Sequence, residues 1–183
     1  MLVAAVANIR DSTDFRQVTN VTYGSLTFTR LVGGNVPGTG SCAEFWGARS
    51  TTAQLAKNLV VTTNAASDIG VHVWALSGVN ASNAVGTVIE QAQRTSTQYI
   101  ETFPNKRSGS LLFGAFFNTG YDQDKAGITG YLTISALTGS VSGQTYAGYY
   151  VWSEASSGSG AQTIGANLPG SWTMEHAAIE IVP

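Results

Sequence analysis

The chain has 183 residues, of which 43% are hydrophobic and only 11% are charged. Average globular domains carry about 25% charged residues, so this surface must be built mainly from Ser, Thr, Asn, Gln and Gly. Nine Lys and Arg against eleven Asp and Glu give a net charge of −2, and no basic cluster indicates nucleic-acid binding. The single cysteine, Cys42, excludes a scaffold held by internal disulfides and is expected to be a small buried hydrophobe. No segment approaches the roughly 18 consecutive apolar residues of a membrane span, so no membrane insertion is predicted.

The first apolar run, Leu2–Ile9, is interpreted as the first strand. A signal peptide would need a basic region ahead of a longer apolar stretch, and residues 1–10 have neither. Further runs of β-branched and aromatic residues follow, separated by Gly, Asn, Ser or Pro clusters. They predict strands at Val18–Tyr23, Leu26–Leu31, Ala43–Arg49, Leu55–Thr63, Ile69–Val79, Thr97–Phe103, Leu111–Phe117, Gly130–Leu137, Thr145–Ser153 and Trp172–Val182.

Asn80–Arg94 is the longest stretch with a helix-like pattern of apolar residues. It lacks clear start and stop signals, and Gly86 interrupts it. The sequence therefore predicts a loop here, with room for one turn.

Short, evenly spaced strands without crossover helices predict an all-β chain that forms a single domain over residues 1–183. The expected architecture is a two-sheet antiparallel sandwich, and more specifically a jelly roll. Ile69–Val79 and Leu111–Phe117 carry apolar side chains on both faces, which predicts strands in the middle of a sheet. We therefore expect Trp74 and Phe113 to lie in the core.

The segment Val18–Leu31 reads as a hairpin, and four further pieces follow it along the chain. These pieces are Glu44–Gly47, Val73–Val79, Gly109–Ala115 and Ala177–Val182. Together they resemble a family of β-sandwich domains that occurs in bacterial surface proteins and in phage tail or other virion proteins. Ser25 departs from the pattern, which has a second glycine after Gly24. The resemblance implies a jelly-roll-like fold and a display or adhesion role, and it implies no catalytic residues.

Glu44 and Glu154 are the candidates for a glycosidase, because that chemistry needs two carboxylates and jelly-roll sandwiches host such enzymes. Glu44 shares a strand face with Trp46, and Glu154 shares one with Trp152. The chain lacks the Glu-x-Asp-x-x-Glu strand motif of laminarinase-like hydrolases. We therefore interpret both acids as ordinary outward-facing strand residues.

The two histidines could be combined with one of many serines in a hydrolytic triad, but no Gly-x-Ser-x-Gly motif frames a nucleophile. His72 lies beside Trp74 in an apolar strand and is expected to be a hydrogen-bonded core residue. His176, on the last strand, is expected to be half exposed. No phosphate- or dinucleotide-binding motif appears, so neither a catalytic residue nor a cofactor is predicted.

Asn118, Asp122 and Asp124 place hard oxygen ligands close together in one predicted loop. Calcium is bound by six to eight such oxygens, so these residues could begin a calcium site. The alternative is a solvated acidic turn, since the spacing matches no defined calcium loop.

Tyr146, Tyr150 and Trp152 share one face of a predicted strand, while Tyr149 points to the other face. If the row is exposed, its rings can stack on sugars as in lectin-like sandwiches. If it is buried, the rings belong to the core of the sandwich or to a contact between subunits.

These observations favour a non-enzymatic structural or adhesive surface module, specifically a virion component such as a capsid decoration protein or a tail-fibre domain. The expected partners are other copies of the chain or a capsid or tail protein, with surface glycans as a further option. The expected location is the virion surface or the extracellular space. A carbohydrate-binding module of a secreted bacterial protein is the alternative, and a jelly-roll glycosidase is the third reading.

Overall fold

The computed structural model of the chain describes residues 1–9, 17–33, 41–65, 68–119, 129–130, 133–141, 144–152 and 158–183. All regular secondary structure in these residues is β-strand, which confirms the all-β prediction. The strands are β1 (Leu2–Ile9), β2 (Val18–Tyr23), β3 (Leu26–Thr27), β4 (Thr29–Val32), β5 (Ser41–Ala48), β6 (Leu59–Thr63), β7 (Asp68–Ala75), β8 (Val85–Lys106), β9 (Leu111–Thr119), β10 (Thr129–Gly130), β11 (Thr133–Val141), β12 (Gln144–Trp152) and β13 (Gly160–Ile181). No helix in this described part is long and apolar enough to cross a membrane.

The strands form three antiparallel sheets. The outer sheet has the order β3-β2-β6, and the middle sheet has the order β4-β5-β1-β7. The large sheet has the order β10-β13-β9-β12-β11, and β8 pairs with β13 beside this path. The middle and large sheets face each other as in the predicted sandwich, and the outer sheet adds a further layer. The jelly-roll topology stays a prediction.

Alternation along the strands explains how the layers stack. On β1, Val3 and Ala5 lie in the core between the middle and large sheets, whereas Ala4 and Val6 lie in the core between the middle and outer sheets. Because successive strand residues point to opposite faces, a strand of the middle sheet serves two cores only if apolar residues fill both faces. The run Leu2–Val6 meets that condition.

The pair β8–β13 is the largest departure from the sequence-based prediction. The prediction of a loop at Asn80–Arg94 is wrong, because β8 begins at Val85 and continues to Lys106. Residues 160–171 were not predicted as a strand, yet β13 begins at Gly160. The two strands pair from Gly160 with Lys106 to Ile181 with Val85, and the register shifts between Asn167 and Trp172.

This two-stranded ribbon folds back on itself. Ala166 pairs with Tyr99, and Ala177 lies eleven residues further along β13, about 35 Å away if the strand were straight. Yet the Tyr99 hydroxyl donates a hydrogen bond to the Ala177 carbonyl at 3.2 Å. The half of the ribbon formed by residues 98–106 and 160–167, here called the arm, therefore covers the large sheet.

The arm packs on the large sheet through a second apolar core. Tyr99 stacks on Phe116 with ring centroids 4.4 Å apart. The other buried members of this core are Phe103, Leu112, Ile164, Ala166, Leu168 and Ala178. Gly165 is tightly enclosed, because a Cβ at this position would collide with the backbone of Tyr99 and Ile100.

Two strands test the prediction that apolar residues on both faces mark the middle of a sheet. β9 lies between β13 and β12, as predicted, and Phe113 is buried. The prediction for Ile69–Val79 is wrong, because among the described strands β7 pairs only with β1, at the edge of the middle sheet, and Trp74 is only half buried. Both faces of β7 are apolar because a sheet lies above it and another below it. Apolar residues on both faces therefore do not indicate whether a further strand pairs with β7.

Candidate functional site

Glu44 is buried, so its predicted outward-facing position is wrong. Its side chain lies on the face of β5 that the outer sheet covers, together with Trp46. Trp46 Nε1 donates a hydrogen bond to Glu44 Oε2 at 2.7 Å, and Arg30 Nη1 lies 3.9 Å from Oε1. Glu154, the other acid of the glycosidase reading, lies outside the described residues. Glu44 is thus a structural residue that pairs with Arg30 beneath the outer sheet.

The burial of the two histidines is the reverse of what the sequence predicted. His72 is half buried on the edge strand β7, and its ring centroid lies 4.4 Å from that of Trp74. Burial lowers the pKa of His72 below its ordinary value. The prediction of a half-exposed His176 is wrong, because the arm covers it and its side chain is 1% exposed.

The predicted aromatic row lies on β12, where the register pairs Tyr146 with Thr119, Tyr150 with Ala115 and Trp152 with Phe113. The side chains of the row lie outside the described part of the chain, so sugar stacking on them stays a prediction. The backbone of Cys42 lies on β5 opposite Asn8, and its side chain also lies outside the description.

Of the predicted calcium ligands, Asn118 lies on β9 and its backbone pairs with those of Ala147 and Met174. Asp122 and Asp124 lie outside the described residues. Within the described ranges, no group of three or more His, Cys, Asp or Glu side chains could hold a metal ion.

A buried polar pair between the arm and the large sheet was not predicted. Glu101 on the arm and His176 on the large sheet place Oε1 and Nδ1 2.6 Å apart, without the alignment of a good hydrogen bond. The edge of the His176 ring meets Tyr99 at a centroid distance of 5.2 Å. An imidazole beside a carboxylate can move a proton, but this pair is sealed inside a packed layer. Its evident role is to hold the arm. The alternation of Glu101 with Tyr99 and Phe103 was the sequence signal, since a strand acid between two core aromatics shares their buried face.

A second polar anchor lies where the arm returns to the start of β9. The N–H groups of Thr87 and Arg107 donate to Glu180 Oε2 and Oε1 at 3.0 and 2.7 Å. Burial by itself would raise the pKa of Glu180, but these hydrogen bonds to the charged form hold it below the ordinary value. Gly86 leaves room for this carboxylate, because a Cβ at this position would have to displace it.

The ammonium group of Lys106 completes this end of the arm. Lys106 is buried, and its Nζ donates to the carbonyls of Arg107 and Gly158, both at 2.9 Å. The charged groups of Glu180 and Lys106 are therefore both used inside the fold.

The outer sheet presents a face without charged side chains. Thr27 and Val60 pair with Thr22 on either side, which makes a row across the three strands. Asn20 pairs with Thr62 in a second row. Leu59 and Val61 point inward to the core, so Val60 points outward, and 51% of its surface is exposed. Among the described residues, β6 pairs only with β2 and forms one edge of this sheet.

A cavity of about 520 Å³ opens at one end of the layer between the outer and middle sheets. Its walls include Leu2, Tyr23, Leu59 and Leu76, and loop residues 50–57 form its rim. Leu2, Tyr23 and Leu59 also pack against the core between these two sheets. The cavity is thus an open continuation of an apolar core, with Lys57 as the charged side chain in its lining.

Comparison of the chain with protein-family models, with curated proteins and with solved structures finds no match.

Proposed function

We propose that this chain is a non-enzymatic structural or adhesive surface module, and specifically a repeated subunit of a virion, such as a capsid decoration protein or a tail-fibre domain. Its contact with other copies, or with a capsid or tail protein, is made through the outer face of the outer sheet. The observation that carries the proposal is the charge-free pair of rows centred on Thr22 and Val60.

Two physical arguments support a contact at this face. The central part of a protein–protein interface is depleted in charged residues, because each buried charge must be desolvated. Among the described residues β6 has one partner strand, β2, and a strand edge of this kind can take up a further strand or pack against one.

The distribution of acidic residues supports a non-catalytic role. Glu44, Glu101, Glu175 and Glu180 are buried, although the chain has only six glutamates. Glu44 lies 3.9 Å from Arg30 on the neighbouring strand β4, Glu180 accepts a hydrogen bond from Thr87 on β8, and Glu101 contacts His176 beneath the arm. Acids placed in this way stabilise layers and do not converge on an open cleft.

The test combines the mass of the purified chain in solution with variants of the outer face. Light scattering is expected to give a multiple of the chain mass, and electron microscopy of the native source is expected to find the chain as a repeated subunit. Val60→Glu puts a charge into the central row and is expected to shift the chain to monomer. Val88→Glu is the matched control, because Val88 is similarly exposed, at 47%, but lies on β8.

A strict monomer at high concentration, absent from any particle or filament, would remove the virion proposal. Retention of that monomer on a glycan array would then put the carbohydrate-binding module ahead. Glycosidase activity lost in Glu44→Gln or Glu154→Gln would instead establish an enzyme.

A further inference from the structure

The cavity between the outer and middle sheets has the size and lining of a small-molecule site. Ligand pockets in proteins commonly measure about 300–1,000 Å³ and are mostly apolar with a few polar groups. This cavity has about 520 Å³ and is walled by Leu2, Leu59, Val73 and Leu76. Val73 is 41% exposed although it lies on an apolar wall, so the cavity leaves hydrophobic surface in contact with water.

The rim of the cavity is held by hydrogen bonds of its own. The Tyr23 hydroxyl donates to the Leu55 carbonyl at 3.3 Å and accepts from the Lys57 N–H at 3.1 Å. Gln54 Nε2 donates to Ser50 Oγ at 2.6 Å. These hydrogen bonds position the rim, and the donor groups of Tyr23, Gln54 and the Lys57 backbone are already engaged in them.

Lys57 sets the charge of the site. The carbon stem of its side chain lies against the turn at Gly24, because a Cβ placed on that glycine would lie 3.0 Å from Lys57 Cγ. No acidic residue is among the described residues that line the cavity. An ammonium group at the mouth of an apolar cavity is complementary to a molecule with an apolar body and an anionic head.

We infer that this cavity binds a small amphipathic anion, with an apolar chain or ring between Leu59 and Val73 and an acidic head at Lys57. This site lies on the inner side of the outer sheet, so ligand binding is independent of assembly through the outer face.

The experiment uses the full chain and anilinonaphthalene sulfonate, an apolar anion whose fluorescence rises in apolar surroundings. Saturable binding of one probe per chain is expected, with displacement by decanoate and much weaker displacement by decanol. Val73→Trp puts a large ring into the cavity at the position expected for the apolar part of the ligand, and is expected to abolish this binding. Lys57→Gln is expected to weaken it about two- to fivefold, as for one exposed ion pair, with a smaller salt dependence than the parent chain.

Val88→Trp is the matched control, because it adds the same ring at a similarly exposed valine on β8, which lines neither the cavity nor the outer face. Ala75→Leu is a second, smaller filler of the cavity, and thermal melts of all variants verify that they are folded. Equal probe binding by the parent chain and folded Val73→Trp would overturn the site. Equal displacement by decanol and decanoate would overturn its preference for anions, and so would unchanged affinity in Lys57→Gln.

Discussion

Strands β9 and β13 of the large sheet are buried on both faces, and different interactions hold the layers that cover these two faces. At the centre of the contact with the middle sheet, Phe45, Phe113 and Ile179 pack in an apolar cluster. On the opposite face the arm adds the buried pair of Glu101 and His176 to its own apolar core. The contact with the middle sheet thus depends on apolar packing. The contact with the arm depends on apolar packing and also on the close polar pair of Glu101 and His176.

The difference concerns specificity as much as stability. Apolar contacts are non-directional, so a two-stranded arm lying on a sheet could slide by a residue pair and still bury similar area. A slip of the arm would separate the buried Glu101 carboxylate from the His176 imidazole, and losing a contact between buried polar groups is costly. We interpret the polar pair as the feature that sets where the arm lies.

The largest effect is expected on the apolar face. Phe113→Ala should reduce the free energy of unfolding by about 3–5 kcal/mol, because it removes a buried ring that contacts both sheets and Trp74. Urea denaturation measures the loss. Val88→Ala, at an exposed position, should stay within about 0.5 kcal/mol of the parent chain. Similar losses for both variants would contradict the assignment of Phe113 to the core.

The polar face is tested by a double-mutant cycle. Glu101→Leu or His176→Leu alone should cost about 1–3 kcal/mol, because each removes one side of a buried polar contact. The double variant should recover much of that loss, since apolar replacement of both partners removes the desolvation penalty. The free energies of unfolding of the four chains give the coupling. Additive losses would show that the pair does not act as a unit.

Glu180 tests the anchor at the end of the arm. Glu180→Gln should reduce the free energy of unfolding at neutral pH by about 1.5–3 kcal/mol, because the amide cannot accept both N–H donors. The pKa of Glu180 is lower in the folded chain than in the unfolded one, so its contribution is present above about pH 4.5 and is lost as the pH falls through the folded value. Stability of the variant should therefore depend less on pH in acid.

Exposed Glu90 provides the control for this anchor. Glu90→Gln should leave both the stability and its acid dependence close to those of the parent chain. If Glu90→Gln and Glu180→Gln behaved alike in acid, the hydrogen bonds from Thr87 and Arg107 would not be the cause of the lowered pKa.

The smallest effect is expected at His72, on the edge of the middle sheet. Burial lowers its pKa, so the folded chain takes up a proton here less readily than the unfolded chain. Its effect is therefore a loss of stability as the pH falls from about 6.5 through the lower folded value. His72→Gln should flatten thermal melting temperatures between about pH 7.5 and pH 5. An unchanged slope would assign the dependence to other groups.

The strands with clear boundaries were predictable from the sequence. β1 and β2 have the predicted bounds, because apolar and β-branched runs end there at polar or glycine residues. The first part of β8, residues 85–94, was missed because Gly86 resembles a break in a local pattern, whereas Thr97–Phe103 within β8 was predicted as a strand. In the structure Gly86 lies within the strand and leaves room for the Glu180 carboxylate, a contact between residues more than ninety positions apart.

The environments of the polar residues were less predictable. Alternation correctly placed Glu44 on the face of β5 that also carries Trp46, but it could not reveal that a third sheet covers this face. Likewise, nothing local to His176 indicates that the arm folds over it. The cavity walls come from β1, β6 and β7 and from the strand ends near them, so no single stretch of sequence contains the site.

The sequence by itself determined the strands, since strand period, turn residues and the shortage of helix signals are local properties of the chain. It also determined that this surface carries few charges. Only the tertiary structure decided how many layers stack, where the ribbon folds back and which acids lose contact with water. These depend on pairing between distant strands, and the same alternating pattern is compatible with a solvent-exposed face or a covered one until a neighbouring layer is present.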